Sequence, residues 1–96
     1  MSDFNTLNPL LHSQLRLAVM SLLMSVESAE FVYIREKTGA TAGNLSVQLS
    51  KLSNAGYIGV IKSYKGNLPL TTCKITKKGV EAFEEYVNHI QQYLKP

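Results

Sequence analysis

A chain of 96 residues with 45% hydrophobic and 18% charged side chains has the composition of one globular domain, not of a disordered segment. No apolar run approaches the roughly 20 residues that cross a bilayer, so no membrane partner is expected. The formal net charge is only +3, but its distribution is lopsided. Lys37, Lys51, Lys62, Lys65, Lys74, Lys77 and Lys78 stand between positions 37 and 79 with no Asp or Glu among them. An unbroken cationic tract attracts phosphate over about a Debye length, so the chain is suited to a polyanion. The lone Cys73 excludes an internal disulfide and any Cys-x-x-Cys site, and is expected as a small apolar strand residue. The first residues carry neither a positive start nor an apolar signal core, which makes the cytoplasm the expected location.

The elements are well punctuated. After Asn8-Pro9, Leu10 to about Val26 reads as a first helix, with Leu11, Leu15, Ala18, Leu22 and Val26 on one face and Val19 and Leu23 widening it. Leu10, Leu17, Met20 and Met24 form a second stripe on nearly the opposite side, and Arg16 is the only charge within the helix. A helix apolar on two sides must be covered twice. Ser28 is expected to cap a short second helix from Ala29, stopped by Gly39. Thr41 then caps a third helix, in which Leu45, Leu49 and Leu52 recur at buried-face spacing until Gly56. Tyr57 to Tyr64 and Leu70 to Ile75 read as two strands around a turn at residues 65–69. Thr76 caps a last helix, where Val80, Phe83, Val87, Ile90 and Leu94 alternate three- and four-residue steps, the seam of a helix pair.

Three helices with a tight turn between the second and third, then a hairpin and a closing helix, is the order of a winged helix-turn-helix domain: mainly α with a small β-hairpin. The stretches NPLLHSQLRLAVMSLL, TAGNLSVQLSKLSNAGYI and KITKKGVEAFEEYV are also specific. Together they cover nearly the whole chain and resemble the small winged-helix transcriptional regulators related to the MarR family, more distantly the ArsR and PadR regulators. The resemblance implies a homodimeric repressor or activator that binds double-stranded DNA, without enzymatic activity and with no cofactor needed for folding. It assigns Thr41, Asn44, Ser46, Gln48 and Lys51 to the DNA surface. MarR relatives often hold small aromatic ligands between their dimerisation and DNA-binding parts, but this shorter chain has fewer helices to wall such a pocket, and any effector is left unidentified.

Residue chemistry supports the same surface independently. With three leucines inside, the third helix presents Gly43, Asn44, Val47, Ser50, Lys51 and Asn54 outward, with Gln48 at the edge. Asn and Gln amides can pair with adenine, Val47 can meet a thymine methyl, and Lys51 can reach guanine or phosphate. The Thr41 hydroxyl and the free amides behind it can hold a phosphate. On the hairpin stand Lys62, Lys65, Asn67 and Lys74, expected to touch the backbone. Its tip, Gly66-Asn67-Leu68-Pro69-Leu70, departs from the family by placing leucines where arginines are usual. That argues against deep insertion of this wing into the minor groove, whose narrow potential rewards arginine in particular, and leaves Leu68 to pack on a partner or on the first helix. The surplus apolar surfaces predict a two-fold interface formed by Leu10, Leu17, Met20, Met24, Tyr86, Val87, Ile90, Tyr93 and Leu94. His12 and His89 lie far apart, no ligand cluster has metal spacing, and no nucleophile has a partner base, so neither an enzyme nor a metal site is expected. The competing reading is a winged-helix module that holds another protein.

Overall fold

The computed structural model describes residues 3–96. In chain order its elements are α1 (Gln14–Met24), β1 (Ala29–Glu30), α2 (Phe31–Thr38), α3 (Ala42–Asn54), β2 (Ile58–Lys65), β3 (Leu68–Ile75) and α4 (Lys77–Leu94). The strands form one antiparallel sheet in the order β1-β3-β2, with Ala29 opposite Cys73 and Ile58 opposite Ile75. Four helices around this small sheet give the expected winged-helix architecture.

One core unites the elements. Leu11, Val19, Met20, Leu23, Ile34, Leu45, Leu52 and Cys73 are fully buried, so α1, α2, α3 and β3 each contribute to it. No polar side chain is buried among the described residues. The alternation of the sheet explains Cys73: Ile58, Val60 and Cys73 share the inner face, while the side chains between them point outward.

Four boundaries differ from the sequence expectation, each for a local reason. The first helix begins at Gln14 instead of Leu10, because the Asn8 side chain accepts from the Leu10 and Leu11 amides at 2.9 and 3.3 Å and folds residues 8–13 into a turn. Ser28 does not cap α2. Ala29 and Glu30 instead pair with Cys73 and Thr72 as a third strand, and α2 starts at Phe31 with no side-chain cap. The hairpin turn is tighter than residues 65–69: the strands run to Lys65 and from Leu68, leaving Gly66-Asn67. Gly66 has φ +64° and Asn67 does not share a positive φ, the pattern of a type II′ turn with Gly at its first central position. Pro69 is tolerated inside β3 because β1 pairs only as far as Thr72, so no neighbouring strand requires the N–H it lacks. In α1 the buried line is Val19, Met20 and Leu23, which runs between the two stripes read from the sequence.

α4 is fastened at its start. The Thr76 hydroxyl accepts from the Gly79 amide at 3.0 Å and donates to the Gly56 carbonyl at 2.6 Å. Gly79 packs so closely that a Cβ there would sit 2.1 Å from the Tyr57 carbonyl oxygen. At its other end the Tyr93 hydroxyl donates to the Asn5 carbonyl, and Phe4 packs on the Tyr93 ring with centroids 5.0 Å apart. The segment before α1 therefore runs along the end of α4, a contact with no signal in the sequence periodicity.

Candidate nucleic-acid interface

The putting of three leucines inside α3 dictates what it shows outside. Leu45, Leu49 and Leu52 are buried, and Thr41 caps the helix as expected, its hydroxyl accepting from the Asn44 amide at 3.2 Å. Thr41, Gly43, Asn44, Ser46, Val47, Ser50, Lys51 and Asn54 are all exposed. Val47, at the centre of this outer face, is 52% exposed. An exposed β-branched apolar residue among short polar ones is a surface with room for a nucleic-acid groove.

Gln48, half-buried at the edge of this face, is held within the chain. Its carbonyl takes a close hydrogen bond from the Arg16 guanidinium, and its amide nitrogen donates to the Asn44 carbonyl oxygen at 2.9 Å. Arg16 also donates from Nε to the Leu10 carbonyl at 2.6 Å. Gln48 is thus a link between α1 and α3, and the side chain it orients is Asn44, whose Nδ2 remains available. Sequence reasoning noted Arg16 as a lone charge but gave it no partner; its place on the line of Val19, Met20 and Leu23 was the available signal.

A cleft of about 730 Å³ separates α3 from the hairpin. Ser46, Ser50, Ser53 and Asn54 line its helix side, with Lys62 and Thr71 across from them. Thr71 and Ser53 were not singled out from the sequence; Thr71 lies opposite Lys62 in the register, which only the true turn reveals. Parity along the strands divides the wing cations. Lys62 shares the helix-facing side with Val60, whereas Lys65 and Lys74 lie on the opposite face, opposite Leu68 and Gly59. Asn67 is exposed at the turn. All of these cations are exposed, and neither α3 nor the hairpin carries an Asp or Glu.

The residues read as a subunit interface also divide. Met20 is fully buried and Tyr86 is nearly so, its hydroxyl 2.9 Å from His12 Nδ1. Both face the chain's own core and present no surface to a partner. Leu10, Leu17 and Ile90 are half-buried against that core. Met24, Tyr93 and Leu94 are exposed and Val87 is half-buried. Leu68 packs on no helix; it is 71% exposed.

A sheet-backed helix-turn-helix with a lysine-bearing hairpin defines a winged-helix DNA-binding protein. Residues 15–94 match the winged helix DNA-binding domain family, and the chain belongs to that family. It is 38% identical over 84 residues to an uncharacterized protein of Methanocaldococcus jannaschii, spanning 88% of this chain and 91% of that one. Its fold is similar to a transcriptional regulator homologue from Pyrococcus horikoshii, at a TM-score of 0.82 and 25% identity over 88% of this chain and 84% of the other. The fold also extends to a zinc-responsive MarR family member, ZitR of Lactococcus lactis, at a TM-score of 0.62 and 17% identity over 97% and 59% of the two chains. No helix among the described residues is long and apolar enough to cross a membrane.

Proposed function

We propose that the chain is a sequence-specific transcriptional regulator, acting as a repressor, that binds a pseudo-palindromic operator as a homodimer. The observation that carries this reading is the continuous acid-free surface formed by the outer face of α3 and the wing. Asn44 and Val47 address base edges from the major groove, and Lys51 reaches a phosphate beside them. Thr41 and Ser46 hold phosphates beside the start of α3. Lys62 contacts the backbone across the cleft, and Lys65 and Lys74 add to the field from the wing's other face. Two-fold pairing through Val87, Tyr93, Leu94 and Met24 would set two α3 helices about one DNA turn apart. A 96-residue chain gains buried area from such pairing.

Binding of labelled duplexes followed by anisotropy across a salt series tests this. The expected result is affinity that falls steeply with salt while preference for one sequence over a scrambled competitor persists. Salt-independent binding, or equal affinity for all sequences, would contradict it. Exposed Ile61 and Leu68 on the wing favour a second reading, a module that docks another protein.

A further inference from the structure

We propose that the wing is an apolar wedge: Leu68, exposed at the tip of the hairpin, enters a base step of the minor groove beside the α3 site and bends the duplex. This rests on the DNA-binding reading above and assigns its wing a mode of contact.

The hairpin end is where the chain spends large apolar side chains on solvent. Tyr64 is 74% exposed and Leu68 71%, and neither takes part in the core. Leu68 shares one face of the hairpin with its cross-strand partner Lys65, and Tyr64 and Pro69 pair on the other, so the end of the hairpin is apolar on both faces. A two-residue turn keeps this end short and places Leu68 directly after it. The surroundings select the occupant. Lys62 and Lys65 stand next to the apolar residues, and no Asp or Glu occurs anywhere in the hairpin. An apolar protein partner would gain nothing from that ring of cations, whereas DNA supplies phosphates to the lysines and a base step to the leucine. Leu and Pro are among the side chains that unstack a step and kink the duplex. The absence of arginine at the tip, which argues against reading a narrow groove electrostatically, fits a wing that works by wedging instead.

Two features of the bound DNA follow. The duplex is bent by about 20–90° toward the major groove. The flanks of the recognised half-site are enriched in easily unstacked TA or CA/TG steps.

The test uses the full chain and the duplex it retains from a randomised pool, labelled at both ends for energy transfer. The wild type is expected to bring the ends together on binding. Leu68→Ala is expected to lose that change and to bind roughly tenfold more weakly, since the bend no longer brings extra surface into contact. Leu68→Arg is expected to bind with a steeper salt dependence and without the bend. Thermal melting of both variants should match the wild type, because Leu68 is outside the core. Binding by the wild type without a bend, or a bend unchanged in Leu68→Ala, would overturn the wedge and leave the tip as a protein-docking patch. Retention of no duplex at all would overturn the DNA reading itself.

Discussion

Lys51 and Gly79 separate the two kinds of demand placed on single residues. Lys51 is exposed on the outer face of α3 and holds no part of the core. Lys51→Ala should leave the melting temperature unchanged, weaken duplex binding and lower the slope of log affinity against log salt by about one, the signature of one lost phosphate contact. Gly79 serves packing. Because a Cβ there meets the Tyr57 backbone oxygen at 2.1 Å, Gly79→Ala forces α4 and the start of β2 apart. The expected cost is roughly 3 kcal/mol in urea unfolding, read as a lower midpoint. Cys73 supplies a pH dependence. Burial pushes its thiol pKa above the ordinary 9.0, so the folded chain holds this proton more tightly than the unfolded one. Its contribution to stability is whole below about pH 9 and is lost as pH rises through the folded pKa. Cys73→Val should therefore show a smaller decline in unfolding free energy between pH 8 and pH 10.5 than the wild type.

Elements that end in a strong local signal were legible from the sequence. Thr41 and Thr76 cap α3 and α4 where their hydroxyls and the following periodicity said they would, and Gly39 closes α2 in the left-handed conformation at φ 72°. The outer face of α3 followed from its three leucines alone. What was not legible depends on partners distant in the chain. β1 is two residues long and exists only because β3 is beside it, so Ser28 looked like a cap when its neighbours were strand. The hydrogen bond from Arg16 to Gln48 joins residues 32 positions apart, beyond the reach of periodicity. Met20 looked like interface because the buried line of α1 falls between two equally good stripes. The cap is open to a simple check. Thr41→Ala removes the hydrogen bond to the Asn44 amide and should cost about 1 kcal/mol by urea unfolding. The same change should weaken DNA binding by more than the stability loss explains at temperatures where the fold is fully populated, if Thr41 holds a phosphate as proposed.

At the scale of the whole molecule, an elongated shape of 57 × 25 × 21 Å leaves α4 with apolar side chains the core does not use. Leu94 is 72% exposed, and with Val87, Tyr93 and Met24 it is what remains of the interface read from the sequence after Met20 and Tyr86 are buried in the core and Leu10, Leu17 and Ile90 pack against it. In the proposed pair, two wings and two α3 helices would face one duplex on the same side. Val87→Glu combined with Leu94→Lys should convert the particle seen by sedimentation equilibrium from dimer to monomer with its helix content intact, and should reduce operator affinity far more than non-specific binding.

Recognition of a symmetric DNA sequence through α3 is tested by selecting the purified chain against a randomised duplex pool at near-physiological salt and sequencing the retained DNA. Enrichment of a two-fold symmetric motif whose half-sites are centred roughly 10 base pairs apart is expected. Retention without an enriched motif, or no retention, would contradict it.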